Sequence, residues 1–454
     1  MHGPGGVGGR VRSDKAVVLG CGVAGMAAAA ALRRTFAEVV IVERDCLPAA
    51  PTPRRGVPQG EQLHNILGRA QRHLEDLFPG FREALLRAGC GDASVSDETH
   101  VFELGVRMPE RKIGLRLMCA WRPTIESVAR QILLDGGGIT IQEDTRAEGL
   151  SVSESGVTAG VLVRTDRTNE EIAATVVVDA MGQGSKAPKW LESTGLRSPP
   201  VDTQTVEQWY SSMLFERPAG SVGVPDFWLT FPTPPGTRGA LVSPVSPDHW
   251  CVSVSGRSQD QPPRDAKELL GYVATTEDPV IGEILADARP IGIPHLFRRH
   301  VATWRRYDRL KCPLTGFLPI GDSVATLNPL FGQGMSVATW QAAALADLMD
   351  PQGGFTLDHL PELTAAYLSR SADACQAAWS LGTMVDPPAK GDDDAARHGW
   401  PGRYAMLAKR IDENVEVHRK YVGMWHLIDS AETFDNLVVS ASEPDPDRKL
   451  ETTR

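Results

Sequence analysis

Short apolar runs alternate with amphipathic stretches along the first part of the chain, a pattern typical of an α/β protein. Residues 16–19 and 39–42 predict buried strands, and the alanine-rich stretch between them predicts a helix. Residues 174–178 form another continuous apolar run, as expected of a parallel strand that is buried on both faces. The first unit of the chain is therefore predicted to be strand, helix, strand.

Between about residues 205 and 257 the pattern changes to short strands that are separated by proline and glycine. The pieces are WYSSMLFE, DFWLTF, RGALVSPV and HWCVSVSGR, and they predict an antiparallel sheet. Such a sheet inside an α/β chain indicates a second domain that covers a substrate. The large aromatic residues of this region either form a lid over an apolar substrate or belong to the core; they are Trp209, Phe215, Trp228, Phe231 and Trp250.

Other periodic stretches complete the prediction. Helices are expected at 61–78, 81–90, 123–135 and 266–276, with a long helix from Gly334 and mostly helix over 361–434. Strands are expected at 100–104, 115–120, 297–302 and 317–320, and two hairpin-like stretches at 140–166 and 170–185.

Composition and charge narrow the class of protein. The chain has 454 residues, of which 42% are hydrophobic and 23% charged, as in soluble globular proteins of two or three domains. The net charge of −10 argues against nucleic acid or an anionic membrane as a partner. Seven scattered cysteines fit neither a metal site nor a disulfide framework, so a reduced, cytoplasmic protein without a bound metal is expected. The glycine-rich N-terminus is no secretory signal and is predicted to be a disordered leader.

The turn after the first strand carries glycines in GxGxxG spacing. Gly20 permits a tight turn, Gly22 lets a diphosphate approach the backbone, and Gly25 lets the helix pack close to the strand. Glu43 ends the next strand, where a carboxylate can accept hydrogen bonds from ribose hydroxyls. This unit predicts a dinucleotide site, with a βαβ unit whose glycines serve packing alone as the alternative.

Two further segments also run from a strand into a glycine turn. They are VVVDAMGQGS at 176–185 and GDSVATLNPLFGQGM at 321–335. Asp179 and Asp322 end or follow the strands, and each is a candidate cofactor contact or, alternatively, a cap of its own turn. Together with the first turn, these segments can all point at one flavin.

The order and spacing of the three segments resemble the single-component FAD-dependent monooxygenases of the aromatic-hydroxylase superfamily, over nearly the whole chain. Within it, RRGVPQGEQLHNIL and the two later segments look most like the flavin epoxidases of polyether antibiotics and related polyketide-tailoring flavoproteins. The resemblance implies an α/β fold: a Rossmann-like FAD-binding domain with an inserted mixed β-sheet substrate domain and a helical C-terminal region. The implied parts are a leader (1–15), FAD-domain segments (16–95, 122–190, 301–350), substrate-domain strands (96–121), the substrate sheet (191–300), the helical region (351–440) and a disordered tail (441–454).

The resemblance also implies site residues. The diphosphate would lie at the first turn, the ribityl chain near Asp322, and the isoalloxazine along 329–335. No general acid or base is identified; Pro329, Phe331 and Gly332 are pocket candidates, and His64 is expected to be structural rather than catalytic. The implied cofactor-binding residues are Gly20, Gly22, Ala24, Gly25, Glu43, Arg44, Arg54, Arg55, Arg122, Ala147, Asp179, Gly182, Gly321, Asp322, Gly332, Gly334 and Met335.

Two functions are consistent with these residues. The first is a monooxygenase that takes a hydride from NADPH or NADH, reacts with O2, and through a flavin C4a-hydroperoxide epoxidises or hydroxylates a small apolar polyketide intermediate. The second is a polyene cyclase that catalyses a [4+2] cycloaddition, in which FAD is structural. The sequence contains no WxWxIP motif, which disfavours a halogenase, and the third segment disfavours a nicotinamide-only dehydrogenase.

Overall fold

The computed structural model describes residues 15–103, 105–218, 227–232, 237–350, 357–384, 400–430, 432–433 and 436. The predicted disordered tail, all but the last residue of the predicted leader, and residues 385–399 lie outside these residues. Within the described ranges, no helix has both the length and the apolar character needed to cross a membrane.

The secondary structure alternates between strands and helices for most of the chain. The strands are β1 Lys15–Leu19, β2 Glu38–Val42, β3 Leu63–Ile66, β4 Gly91–Ser94, β5 Thr99–Glu103, β6 Val106–Arg107, β7 Arg116–Trp121, β8 Ile139–Gln142, β9 Arg146–Val152, β10 Thr158–Arg164, β11 Asn169–Ala173, β12 Val176–Asp179, β13 Val201–Glu216, β14 Phe227–Thr230, β15 Gly239–Ser246, β16 His249–Arg257, β17 Pro290–Arg305, β18 Phe317–Pro319 and β19 Ala325–Thr326. The α-helices are α1 Val23–Leu32, α2 Gly68–Leu77, α3 Phe81–Arg87, α4 Arg122–Asp135, α5 Ala187–Ser193, α6 Ala266–Val273, α7 Val280–Ile284, α8 Gly334–Leu348, α9 Leu360–Met384, α10 Trp400–Glu413 and α11 Val415–Trp425.

A five-stranded parallel sheet in the order β18-β12-β1-β2-β8 forms the first layer. The alanine-rich helix α1 is buried almost throughout and packs against β1, β2 and α8, which explains why it is apolar on every side. The strands β12 and β18 come much later in the chain than β1, yet β12 pairs with β1 and β18 pairs with β12. The predicted Rossmann-like arrangement is confirmed, and it brings the three glycine segments to one edge of the sheet.

A mixed eight-stranded sheet in the order β19-β17-β13-β16-β15-β14-β5-β6 forms the second large unit. Side chains alternate between its two faces. One face packs on α6 and α7 and buries Trp209, Phe215, Trp228 and Trp250 in a separate apolar core. For these four residues the core interpretation is therefore correct and the lid interpretation is wrong. The opposite face of β13 and β17 is turned toward the cavity described below.

The helix predicted from residue 61 is wrong in its first turns. Residues Leu63–Ile66 form β3, which pairs with β7, and the helix α2 begins only at Gly68. Ile66, Leu74 and Leu77 are buried. The apolar residues of β3 continue the helical spacing of α2. Their spacing alone therefore could not show that residues 63–66 pair with β7 instead of forming helix.

Most of the remaining predictions on elements are confirmed. The helices α3, α4, α6 and α8 and the strands β5, β7, β13 to β16 and β18 lie where the pattern placed them, with β13 and β17 longer than expected. The expected hairpin at 140–166 is divided, since β8 joins the parallel sheet whereas β9 and β10 pair with each other. The predicted domain boundaries stay predictions.

Candidate cofactor and substrate site

A cavity of about 1060 Å³ lies at the carboxyl ends of β1, β12 and β18 and extends to the inner face of the eight-stranded sheet. Ligands of open α/β sheets bind at this end of the strands. Most of the predicted cofactor residues line it, and two, Gly25 and Asp179, do not. Those that do are Gly20, Gly22, Ala24, Glu43, Arg44, Arg54, Arg55, Arg122, Ala147, Gly182, Gly321, Asp322, Gly332, Gly334 and Met335.

The three glycines of the first turn are required for different reasons. Gly20 has φ +102°, and a Cβ there would lie 2.7 Å from the Ala180 carbonyl oxygen. A Cβ on Gly25 would lie 1.9 Å from the Gly20 carbonyl oxygen, so this glycine serves the packing of α1 on the turn. A Cβ on Gly22 would meet no protein atom within 4 Å. The space beside Gly22 opens to the cavity at the N-terminus of α1, where an anion is favoured.

Glu43 is held in place by the backbone around it. Its side chain accepts hydrogen bonds from the Cys21 N–H at 2.7 Å and from the Asp45 N–H at 2.9 Å. The residue is 4% exposed and lies on the cavity wall. One carboxylate thus fixes both the glycine turn and the loop after β2. It still has lone pairs for a ligand hydroxyl, because a carboxylate accepts about four hydrogen bonds.

Arg54 connects the first turn to α4. Its guanidinium lies 3.2 Å from Glu43, 3.1 Å from Asp45 and 3.2 Å from Glu126, and it donates to the Cys21 carbonyl at 3.0 Å. Burial disfavours the charged form, but Glu126 and Glu43 outweigh it and raise the pKa of Arg54 above its usual value. Arg54 is therefore occupied with protein partners, and it acts on a ligand chiefly by holding Glu43.

Arg122 is the cationic residue at the start of α4. Its Nε donates to Glu126 at 2.8 Å, and the side chain lies on the cavity wall. Only one of its donors is used in that bond, so the remaining guanidinium nitrogens can bind an anion in the cavity.

Asp179 and Asp322 play opposite parts. Asp179 is 0% exposed, and it accepts hydrogen bonds from the Met181 N–H at 3.1 Å and from the Ser185 hydroxyl at 2.5 Å. Burial raises the pKa of Asp179 to about 6. This geometry favours the alternative in which Asp179 caps its own turn, and Gly182 and the neighbouring backbone face the cavity in its place.

The Asp322 carboxylate faces the cavity and has no hydrogen bond or ion pair to any of the described residues. Burial raises its pKa, opposed by the nearby Arg299, Arg122 and Arg305. Its backbone is fixed, because the Gly321 N–H donates to the Gln341 side chain at 2.7 Å and Arg305 donates to the Ser323 carbonyl at 2.7 Å. A rigidly placed carboxylate without a partner is suited to accept hydrogen bonds from ligand hydroxyls.

The loop before α8 forms the floor of the cavity. Asn328 accepts from the Leu330 N–H at 3.0 Å, while its buried Nδ2 has no partner among the described residues. Pro329, Gly332, Gly334 and Met335 line the cavity as predicted. The first N–H groups of α8 have no partner within the helix and are available to a ligand.

Phe331 is not part of the cavity wall, so its prediction as a pocket residue is not supported. Its ring instead stacks on Trp425 at the end of α11, with centroids 4.8 Å apart. Gln333 donates to the Trp425 carbonyl at 3.0 Å. The end of α11 thus packs against the loop before α8, on the side away from the cavity.

His64 lies on the cavity wall with its Nδ1 3.0 Å from the Gln62 carbonyl. Since a carbonyl only accepts, Nδ1 carries the proton of the neutral ring. Burial and the nearby Arg122 lower the pKa of His64 to about 3. The neutral imidazole therefore presents its Nε2 lone pair rather than an acidic proton.

Sequence reasoning missed the residues that the eight-stranded sheet contributes. Tyr210 from β13 and Phe297 and Arg299 from β17 line the cavity, opposite the three glycine segments. The alternation of β13 was visible in the sequence, but it does not tell which face packs on α6 and α7. The prediction therefore left Trp209 as either a lid or a core residue and did not name its neighbour Tyr210.

Comparison with known proteins places the chain in a family. Protein Rv3254 of Mycobacterium tuberculosis is 31% identical over 344 residues, which cover 73% of this chain and 72% of that protein. The chain belongs to the family of Protein Rv3254. No model of a protein family matches the chain.

Solved structures identify the fold. The flavin-dependent brominase Bmp2 has a TM-score of 0.66 at 14% identity, over 95% of this chain and 99% of that one. PqsL of Pseudomonas aeruginosa, described as a probable FAD-dependent monooxygenase, has a TM-score of 0.63 at 16% identity, over 87% and 99%. The 2-methyl-3-hydroxypyridine-5-carboxylic acid oxygenase has a TM-score of 0.58 at 17% identity, over 86% of this chain and 92% of that one. The predicted fold, that of the flavin-dependent monooxygenases, is confirmed.

The chemistry of this family member's cavity fits FAD. The open space beside Gly22 accommodates a diphosphate, and Glu43 and Asp322 offer carboxylate oxygens for hydroxyls. The orphaned Nδ2 of Asn328 and the first turn of α8 offer donors for ring carbonyls. Acceptors, donors and free space of the kinds that a flavin dinucleotide requires therefore line one cavity.

Proposed function

We propose that the protein is an FAD-dependent monooxygenase that inserts one oxygen atom from O2 into a small natural-product intermediate of polyketide type, by epoxidation or hydroxylation. The observation that carries this proposal is one cavity whose walls come from two parts of the fold. The glycine turn, Glu43 and Asp322 form one wall, the cofactor end of this proposal, and the eight-stranded sheet forms another, its substrate end. A dinucleotide and an organic substrate can therefore meet in it.

The chain's own groups would prepare the cofactor end electrostatically. FAD, when bound, supplies the two-electron redox chemistry and the reaction with O2, with NADPH or NADH as the reductant. The N-terminus of α8 favours negative charge beside Gly334 and Met335. Arg122 and the open N-terminus of α1 neutralise the diphosphate.

The substrate end would position the acceptor carbon and keep water away. Leu241 and Phe297 of the sheet, with Leu327, Pro329 and Leu330 of the α8 loop, give it an apolar lining. A closed apolar wall protects a reactive oxygen species from water and holds the substrate in one orientation. This lining supports an apolar natural product as the substrate class. The shape of the lining would determine which alkene or ring of the substrate is attacked.

The decisive experiment follows the source of the oxygen atom. The FAD-loaded protein is supplied with NADPH or NADH and candidate polyketide alkenes and phenols under oxygen-18 gas, and products are analysed by mass spectrometry. We expect one labelled oxygen atom per product and none when the label is in the water instead. Product formation should stop without reductant or without O2.

Three results would contradict the proposal. A product isomeric with its substrate, formed without reductant and under nitrogen, would assign the protein to the cyclases in which FAD is structural. A purified protein that retains no FAD and is not reconstituted by it would remove the flavin from the function altogether. A halogenated product in bromide buffer would identify chemistry like that named for Bmp2.

A further inference from the structure

The sheet wall of the cavity carries hydrogen-bond donors that the protein does not use. Tyr210 of β13 lies directly opposite Phe297 of β17, and Arg299 follows two residues later on the same face. All three line the cavity. Among the described residues, neither the Tyr210 hydroxyl nor the Arg299 Nε has a hydrogen-bond partner, although both atoms are buried.

Arg299 is a buried cation that makes no ion pair with any described residue, although it lies close enough to Asp322 to oppose the rise in the pKa of that carboxyl. The residue is 9% exposed, its Nη1 donates to the Gln183 side chain at 2.8 Å, and it makes no ion pair with any described carboxylate. Arginine stays protonated at all physiological pH values, and a buried charge is costly unless it is paired. Its free Nε therefore marks a place for an acceptor that comes with a ligand.

Tyr210 provides a second donor of a different kind. Burial raises the pKa of its hydroxyl, so the phenol stays neutral and keeps its proton. A buried hydroxyl without a hydrogen-bond partner destabilises the fold. An acceptor atom bound between Tyr210 and Arg299 would satisfy both donors at once.

We propose that the substrate carries a negatively charged oxygen, a carboxylate or an enolate, which Arg299 Nε and the Tyr210 hydroxyl bind while the carbon skeleton packs on Phe297 and Leu241. This assignment rests on the proposed function. The assignment adds a substrate class to the proposed function, namely an apolar acid. It also adds two residues that determine specificity, Tyr210 and Arg299. The acidic group is anchored on the sheet, so the reacting carbon lies toward the α8 loop.

The test measures equilibrium binding to the FAD-loaded protein, with no turnover. The two probes are naphthoate and the neutral naphthylmethanol, which share a ring system and differ in charge, and the readout is the change in the visible flavin spectrum. We expect naphthoate to bind about tenfold more tightly than the alcohol, the factor given by a charge-assisted hydrogen bond of about 1.5 kcal/mol.

Three variants localise the effect. Arg299→Gln should abolish the preference for naphthoate, whereas Arg299→Lys, which keeps the charge but loses Nε, should restore part of it. Tyr210→Phe should weaken naphthoate binding by about tenfold and leave the melting temperature unchanged or higher, because the hydroxyl has no partner to lose.

Matched controls are present in the chain. The Tyr307 hydroxyl is likewise buried without a partner among the described residues, but Tyr307 does not line the cavity, so Tyr307→Phe should not affect naphthoate. Arg298 precedes Arg299 on β17 and is exposed, so Arg298→Gln should bind both probes as the wild type does.

Equal binding of the two probes, or failure of naphthoate to bind, would overturn the proposal. So would an Arg299→Gln protein with an unchanged preference for naphthoate and a weakened affinity for FAD, because the donors would then belong to the cofactor. Loss of FAD binding in the wild type would instead defeat the proposed function. In that case naphthoate binding to the apoprotein, followed by tryptophan fluorescence, still decides the role of Tyr210 and Arg299.

Discussion

At the scale of single residues, glycine shows how one residue type meets different physical demands within one turn. Gly25 has no room for a side chain because the Gly20 carbonyl occupies the place of its Cβ. A Cβ on Gly22 would meet nothing within 4 Å, and this open space is where the proposed function puts the diphosphate. Gly25 is therefore needed for folding, and Gly22 is proposed to be needed for ligand binding.

This contrast predicts that two similar substitutions fail in different ways. Gly22→Val should leave the melting temperature of the apoprotein unchanged and raise the Kd for FAD at least about tenfold, about 1.4 kcal/mol. Gly25→Ala should destabilise the fold by about 1–3 kcal/mol, since the added methyl overlaps a backbone oxygen. Thermal unfolding without FAD and a fluorescence titration with FAD separate the two effects.

The outcome that contradicts this prediction is a Gly22→Val protein that binds FAD as the wild type does. The diphosphate would then lie elsewhere in the cavity, and the alternative that the glycines serve only packing would apply to all three. A Gly25→Ala protein with unchanged stability would mean that α1 can move away from the turn.

The two aspartates mark the limit of residue-level prediction from the sequence. Asp179 and Asp322 each stand beside a glycine turn at the end of a parallel strand, and both were predicted to contact the cofactor or cap a turn. Ser185 comes six residues after Asp179 and binds it, whereas no described side chain does so for Asp322. The sequence contains the serine, but the path of the turn decides whether its hydroxyl reaches the carboxylate.

At the scale of elements, strands and helices were predicted well where the spacing of apolar residues fitted only one of the two. They were predicted less well where the same residues fitted both. The parallel strands β1, β2 and β12 and the helix α1 follow from apolar runs and glycines. β3 was missed because Leu63 and Ile66 suit a helix and a strand equally, and its partner β7 lies far along the chain. The pairing of β3 with β7 is a long-range interaction, and the residues around β3 alone do not reveal it.

The helix α11 packs behind the α8 loop and fixes it without lining the cavity itself. Trp425 stacks on Phe331, and the Tyr421 hydroxyl donates to Glu103 of β5 at 2.9 Å. One helix thus connects the α8 loop to the eight-stranded sheet. Burial raises the pKa of Glu103 to about 7, so this anchor titrates near neutral pH.

Glu103 should therefore make the stability of the protein depend on pH. Its folded-state pKa lies above the unfolded value of about 4.3, so its contribution is complete below that value and is lost as the pH rises toward about 7. Glu103→Gln, which is always neutral, lacks this loss. We expect the melting temperature of the variant, relative to wild type, to rise between pH 5 and pH 7 and then to level off.

The exposed Glu362 supplies the comparison, since Glu362→Gln makes the same substitution at the surface. A constant difference between Glu103→Gln and wild type across that range would show that Glu103 does not titrate there.

At the scale of the whole molecule, the cavity joins parts that the chain order keeps apart. Its walls come from the first turn, from the ends of β12 and β18, and from β13 and β17 of the other sheet. The order of the glycine segments was enough to predict that they converge. The sheet wall was not predictable in detail, because its position depends on how two separately formed sheets pack.

A ligand that contacts both sheets should stabilise them together, and removal of FAD tests this directly. At 100 times its Kd, a ligand adds about 2.7 kcal/mol to the free energy of unfolding. We expect calorimetry of the FAD-loaded protein to show one transition, which moves to lower temperature when FAD is removed and returns when it is restored. Two transitions, of which only one responds to FAD, would mean that the eight-stranded sheet takes no part in the cofactor site and that the wall with Tyr210 and Arg299 forms independently of it.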